Sequence, residues 1–197
     1  MKIHKIEQQS PEWFEIRRGK MTASHAQAIG NNGKGLDSYI LDVMSKYYAE
    51  VQEEQYTNEQ MQRGNELEAQ ARKIYELLNG VTAEQVGFIE LDEYTGCSPD
   101  SLIGEDGGIE IKCHNNLNHF KLLLDKKIAS DYMWQIQMNL YITGRKWWDY
   151  VAYNPNFKDS LVVIRVEPDQ EKIEKLKIGL GSGKEKIKGI KKRLKNE

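Results

Sequence analysis

The residues able to do chemistry in this sequence gather in one short stretch. Asp100 follows Cys97-Ser98-Pro99, and ten residues later comes Glu110-Ile111-Lys112. Alternation from Gly108 to Cys113 predicts a strand, Gly96 to Ile103 predicts a shorter one, and the glycine-rich segment 104–108 joins them as a hairpin. On the second strand Ile109, Ile111 and Cys113 then point to the core face, while Glu110 and Lys112 share the other face. Asp100 stands beside Glu110 across the pair. Two carboxylates on adjacent strands are hard oxygen ligands for a divalent cation that keeps several waters, which suits magnesium or manganese. A lysine on the same face can orient a metal-bound water or counter charge building on a phosphate. Glu-x-Lys alone is also what an exposed sheet face with a simple ion pair looks like. The Asp after Ser-Pro, the hairpin length and the flanking alternation favour the site.

Glu68 is the candidate third ligand. A helix is predicted from Asn58 to Leu78, ending at Asn79-Gly80, with a core stripe of Leu67, Ala71, Ile74 and Leu78. Glu68 lies at the edge of that stripe and shares a face with Met61, Gly64, Asn65 and Tyr75. Gly64, one turn earlier, leaves room for close approach.

In order along roughly residues 10–165, four motifs resemble the PD-(D/E)xK nuclease superfamily, and within it the lambda-exonuclease or YqaJ-like viral recombination nucleases. They are Trp13 with Arg17, Gly19 and Thr22-Ala23-Ser24; Gly64 to Glu68; Cys97-Ser98-Pro99-Asp100 with Glu110-Ile111-Lys112; and Gln135-Ile136-Gln137. The resemblance implies an α/β fold with a central mixed sheet flanked by helices. It implies two magnesium ions (or manganese) held by Glu68, Asp100, Glu110 and the carbonyl of Ile111, with Lys112 assisting catalysis. It implies digestion of duplex DNA from 5′ ends to mononucleotides, leaving 3′ overhangs, by a trimeric ring working beside a single-strand annealing protein. Carried over residue by residue, Arg17, Ser24, Ser98 and Gln137 form a pocket for the 5′-phosphate. Their chemistry suits it: a guanidinium fork, two hydroxyls, and an amide that needs a partner inside an apolar helix. Other roles stay open: a surface charge for Arg17, a helix cap for Ser24, a backbone partner for Gln137. Met61 could wedge into a terminal base pair or simply pack, and Trp13 reads as a packing residue. Endonuclease or repair activity in the same superfamily, and a DNA-end-binding module that has lost catalysis, are the competing readings.

The elements that must position these residues read as follows. Helices are expected over Leu36 to Val51, after Ser130-Asp131 to Gly144, and through a basic tail over 168–197; further strands are expected over Val86 to Leu91, Trp147 to Tyr153 and Ser160 to Val166. The helix after Ser130 is apolar nearly all round and should be buried. At 197 residues a single nuclease domain is expected. With 39% hydrophobic and 29% charged residues, the chain reads as globular and not disordered. No segment reads as a membrane span or signal peptide. Cys97 and Cys113 form no CxxC pair, which argues against structural zinc and for a reducing cytoplasm. They also cannot supply the four thiolates of an iron–sulfur cluster. His25, His114 and His119 lack zinc spacing. Net charge is −2, yet Lys184 to Glu197 holds seven Lys or Arg against two Glu, and Glu50 to Glu59 is acidic, so local patches matter more than the total. Gly179 to Lys184 lacks the glycine spacing and the Ser or Thr of a phosphate loop.

Overall fold

Pro99 shapes the architecture. The segment expected as one strand, Gly96 to Ile103, is interrupted there, because proline has no amide N–H to give to a ladder. In the computed structural model, which describes residues 1–51 and 59–195 (and side chains of the fourth helix from residue 63 on), the chain changes sheets at this point. Before it, β5 (Thr95–Cys97) belongs to a sheet ordered β1 (Lys2–His4), β4 (Phe88–Asp92), β5, β2 (Met21–Thr22). After it, β6 (Ser101–Ile103) belongs to a second sheet ordered β3 (Ala83–Glu84), β6, β7 (Gly107–Cys113), β8 (Trp147–Tyr153), β9 (Leu161–Val166). Both sheets are mixed: β2 and β5 run parallel, as do β7 and β8, and the other pairs are antiparallel. The α/β class holds, with two sheets in place of the single central one expected.

The helices are α1 (Pro11–Arg17), α2 (Ala26–Asn31), α3 (Lys34–Tyr48), α4 (Glu59–Asn79), α5 (Asn116–Asp125), α6 (Ser130–Thr143) and α7 (Gln170–Lys195). The sequence leads to helices at α3, α4, α6 and α7, and the structure adds the shorter α1, α2 and α5, of 7, 6 and 10 residues. The apolar girth of α6 has its reason in the fold, since this helix packs against β4 and β5 of one sheet and β8 of the other. On the opposite side of the second sheet, Ala71 and Tyr75 of α4 pack with Ile109, Ile111, Val151 and Tyr153. Tyr75 takes the place expected of Leu78, which is 71% exposed where α4 runs past the sheet. The strand β7 is therefore covered on both faces, as central strands of parallel type are.

The tail glycines act in packing. A Cβ on Gly179 would sit 1.8 Å from the Ile29 carbonyl oxygen, and one on Gly183 would sit 2.4 Å from the Met21 sulfur, so α7 lies against α2 and β2. Ion pairs hold the same helix down, Lys184 to Asp92 at 2.5 Å, Lys191 to Glu93 at 3.5 Å and Lys186 to Asp37. Much of the tail's positive charge is thereby engaged with the body of the chain. The acidic segment expected at 50–59 lies mostly outside the described residues, as does the Met61 side chain. No helix among the described residues is long and apolar enough to cross a membrane.

Gly179→Ala is expected to lower the thermal midpoint, corresponding to about 1–3 kcal/mol of overpacking. Gly189→Ala, on the same helix with open space around it, should raise stability by about 0.5–1 kcal/mol. Calorimetry of the two variants checks both signs.

Candidate active site

The ladder between β6 and β7 begins at Ser101 opposite Ile109, so among the described residues Glu110 and those after it have no strand beside them on that edge. Asp100 stands one step beyond the ladder, and its Oδ2 accepts a 2.5 Å hydrogen bond from the Ile111 N–H. In a strand the N–H and C=O of one residue point the same way. The Ile111 carbonyl thus faces the same open edge as Asp100.

Glu110 and Lys112 do share a face, as alternation requires, but that face is not exposed. It lies beneath α6, and Glu110 is 1% exposed. Its Oε1 accepts from Lys112 Nζ at 2.6 Å and from Gln135 Nε2 at 2.6 Å, and its Oε2 accepts from Asn139 Nδ2 at 3.2 Å. The Lys112 ammonium also lies 5.2 Å from the ring centre of Tyr132. Glu68 approaches from the other face, on α4, where Arg72 Nη2 donates to its Oε1 at 2.5 Å. Arg72 Nε in turn donates to Ser101 Oγ at 3.0 Å, and Ser101 Oγ donates to the Asp100 carbonyl at 2.5 Å. Glu68, Asp100 and Glu110 thus surround the open edge of β7 from one face, the edge itself and the other face.

Burial pushes the carboxyl pKa of Glu68 up, and the Asp100 charge pushes it further, against the pull of Arg72 and Lys112. Burial likewise raises Glu110, with Lys112 opposing and Asp100 adding to the rise. Asp100 is raised by burial, against Lys112 and the Ile111 hydrogen bond. Burial alone would lower Lys112; the charges of Glu110 and Asp100 outweigh it and hold the ammonium protonated. The thiols are pushed up by burial, Cys97 strongly and Cys113 to about 11, so both stay protonated near neutrality.

Of the expected phosphate ligands, the structure joins two directly. Arg17 Nη1 donates to Ser98 Oγ at 2.8 Å, and Trp13 Nε1 donates to the same oxygen at 2.9 Å. The guanidinium stacks 3.9 Å from the Trp13 ring centre, so Trp13 packs against Arg17 and orients it. Arg17 is half-buried, burial lowers its pKa, and among the described residues no carboxylate pairs with it. Ser24 leaves β2 beside the point where Ser98 leaves β5, because Thr22 pairs with Gly96 in parallel register. It is exposed, within 3.2 Å of Thr22 Oγ1 and His25 Nδ1, and lies inside a 3₁₀ turn without capping a helix.

Gln137 is not brought to this cluster. It is 1% exposed, its Nε2 donates to the Glu167 carbonyl at 2.9 Å, and its Oε1 accepts from the Asp169 N–H at 2.7 Å. Both ends of the amide are spent on the backbone that leads into α7, so this geometry lends no support to its expected role as a phosphate ligand. The amide that reaches the site is Gln135. Sequence reasoning gave no role to Arg72, Gln135 or Asn139. The signals were there at helical spacing: Arg72 four residues after Glu68, and Asn139 four after Gln135 on an otherwise apolar helix.

The profile of the YqaJ-like viral recombinase domain matches residues 12–146. The chain belongs to the YqaJ-like viral recombinase family. Among solved structures it is similar to the alkaline exonuclease LHK-Exo from Laribacter hongkongensis, with 30% identity and a TM-score of 0.86 over 95% of this chain and 97% of that one. The same enzyme in complex with dAMP gives 31% identity and 0.86 over the same shares. A phage-related exonuclease from Haemophilus somnus 129PT shares the fold at 16% identity and a TM-score of 0.64, over 89% of this chain and 96% of that one. No curated protein sequence matches the chain. Family and structural likeness together make this YqaJ-like chain a nuclease of recombination that acts on DNA.

Two predictions follow from the charge network. Arg72→Leu leaves Glu68 and Ser101 without their donor, and should cost about 1–3 kcal/mol in denaturant unfolding and on the order of 10- to 100-fold in nuclease rate. Because Glu68 and Glu110 have raised folded-state pKa values, their contribution to stability is present at low pH and lost as pH rises through those values. Chelator-treated protein should therefore melt lower as pH rises through about 7, and Glu110→Gln should flatten that slope.

Proposed function

We propose that this YqaJ-like nuclease is a divalent-metal-dependent exonuclease that degrades duplex DNA from 5′ ends, releasing mononucleotides and leaving 3′ overhangs. The observation that carries the reading is the convergence of Glu68, Asp100 and Glu110, with Lys112, on the open edge of β7. Among the described residues no three acidic, imidazole or thiol groups are already gathered about one point. The donor set nevertheless suits hard cations. It offers three carboxylates whose pKa values burial raises, with the Asp100 charge adding to the rise at Glu68 and Glu110, and a strand-edge carbonyl beside them. Such a set fits magnesium, or manganese, better than zinc.

Glu68, Asp100, Glu110 and the Ile111 carbonyl would hold two ions. When bound, the ions would supply acidity to the attacking water and offset charge on the departing oxygen. The chain does the rest. Lys112, kept protonated by its neighbours and steadied by the Tyr132 ring, donates to the nucleophile or to a phosphate oxygen and so orients one against the other. Gln135 and Asn139 hold the Glu110 carboxylate so that it cannot swing away. Arg17, with Ser98 and Ser24, would grip a terminal 5′-phosphate: a half-buried guanidinium that meets no carboxylate among the described residues is a strong anion site. That pocket supports the polarity. A ring-shaped trimer and a single-strand annealing partner belong to the same proposal by resemblance to the lambda-exonuclease group.

The test uses purified protein, magnesium, and linear duplex labelled at the 5′ or the 3′ end, with and without 5′-phosphate, beside a closed circle. Early release of the 5′ label as mononucleotide, faster with the phosphate and absent on the circle, is expected. Cutting of the circle would keep the metal site and make the protein an endonuclease. Arg17→Ala should abolish the preference for the 5′-phosphate, raising KM more than it lowers kcat. Glu110→Gln should remove digestion and also the rise in thermal midpoint that magnesium gives the wild type.

A further inference from the structure

Tyr39 fixes the plane of a histidine beside the Arg17–Ser98 cluster. The Tyr39 hydroxyl accepts from the Thr22 N–H at 2.8 Å and lies 3.3 Å from Thr22 Oγ1, so its buried ring is anchored at the end of β2. His25 stacks on that ring, with centres 4.1 Å apart and planes within 8° of parallel. The stack turns one edge of the imidazole to Ser24, and Nδ1 lies 3.2 Å from Ser24 Oγ. His25 closes the 3₁₀ turn Ala23–His25 and is exposed apart from the face that Tyr39 covers. Its Nε2 has no hydrogen-bond partner among the described residues. The ring therefore exchanges protons with water without any opening of the fold.

Ser24 Oγ has one proton and two neighbours able to accept it, Thr22 Oγ1 at 3.2 Å and His25 Nδ1 at 3.2 Å. A neutral imidazole protonated on Nε2 takes that proton on its Nδ1, and the Ser24 hydroxyl is then lost to an anion at Arg17. A protonated imidazole reverses the bond. Its Nδ1–H donates to Ser24 Oγ, and the Ser24 proton is free for a phosphate oxygen. The imidazolium also adds a positive charge within electrostatic reach of the Arg17 guanidinium. The surroundings set the resting state. Burial lowers the His25 pKa, Asp42 opposes this, and Lys46 and Arg17 lower it further. Asp42 is itself paired to Lys46 at 2.8 Å. Of the other elements packed on this turn, α6 carries Asp131, Tyr132 and Tyr141, and β5 carries the Cys97 thiol, which burial keeps protonated. Near neutrality the ring is therefore uncharged until an anion arrives beside it.

We propose that His25 is a specificity-determining residue for the terminal phosphate, taking up a proton as the phosphate binds and so giving it the Ser24 hydroxyl and a second positive charge beside Arg17. The inference rests on the reading of Arg17, Ser98 and Ser24 as a 5′-phosphate pocket. A terminal phosphomonoester is the ligand this device favours, since it carries roughly 1.5 to 2 negative charges near neutrality, more than a phosphodiester. Because binding takes up a proton, the contribution of His25 is largest at low pH and fades as pH rises. The second ionisation of the phosphate, near pH about 6, acts in the opposite direction. The reference at each pH is therefore His25→Gln, which keeps a hydrogen-bonding group beside Ser24 without the charge.

The first measurement is the ratio of kcat/KM for linear duplex with and without a 5′-phosphate, in magnesium, from about pH 6 to about pH 9. At the acid end the wild-type ratio should exceed that of His25→Gln by about 5- to 10-fold, and the two should converge as pH rises. His25→Lys, charged throughout, should keep its advantage over His25→Gln to alkaline pH. Thermal melting shows that each variant has folded. The second measurement is the ring-proton titration of His25 by NMR in chelator-treated wild type. Its signal is the one, of four histidines, that is absent from His25→Gln. The midpoint should rise by about one pH unit on adding a 5′-phosphorylated thymidine dinucleotide, and should not move with the unphosphorylated dinucleotide. Equal ratios for wild type and His25→Gln at every pH, or a midpoint indifferent to the phosphate, would overturn the role of His25 and leave the Arg17 pocket standing. A wild type without preference for the 5′-phosphate at any pH would sink the pocket, and His25 with it.

Discussion

Three carboxylates, Glu110 buried and Glu68 and Asp100 partly so, stand close enough to disfavour one another's charge, and the fold must replace the hydration they lose. The structure meets this cost from both sides of one strand. Arg72 answers Glu68 on the α4 face, Lys112 answers Glu110 on the α6 face, and the Ile111 amide answers Asp100 at the edge. Gln135 and Asn139 complete the set with neutral donors. Cationic and amide donors are more than a structural remedy here. They leave the carboxyl groups oriented around an edge where, on the proposed function, hard cations would be the stronger remedy.

The segment Ser98-Pro99-Asp100 ties the two halves of the site together. Its first residue ends one sheet and accepts from Arg17 and Trp13; its last opens onto the other sheet and faces the Ile111 amide. Pro99 between them prevents the two strands from fusing. Gln8 braces the crossing, its Nε2 lying 2.9 Å from both the Pro99 and the Val86 carbonyls. A phosphate seated at Arg17 and a scissile bond at β7 would therefore sit a short, rigid stretch of backbone apart. On the proposed function, that arrangement would let the protein measure from a DNA terminus instead of cutting at large.

Charge elsewhere is arranged for packing as much as for DNA. The tail helix looks basic in sequence, yet Lys184, Lys186 and Lys191 are paired to Asp92, Asp37 and Glu93 of the body. Its glycines, which resemble fragments of a phosphate loop, let α7 approach the Ile29 backbone. Buried Asp149 offers a similar lesson: it is satisfied by Tyr75 and by both arms of Arg165, and so belongs to the fold.

The sequence by itself determined the α/β class, the strands β7, β8 and β9, the long helices, and the grouping of Glu110 with Lys112. These follow from local periodicity, which acts over a few residues and needs no distant partner. The ordered motifs also carried the family. Only the tertiary structure decided that the Glu110 face is roofed by α6, that Pro99 divides the chain between two sheets, and that Gln135 reaches the carboxylate while Gln137 braces α7. Residues 135 and 137 differ by two positions on a helix, about 200° of rotation, on an element buried nearly all round. Composition cannot say which side of such a helix faces a charged neighbour; the packing of α6 between two sheets does.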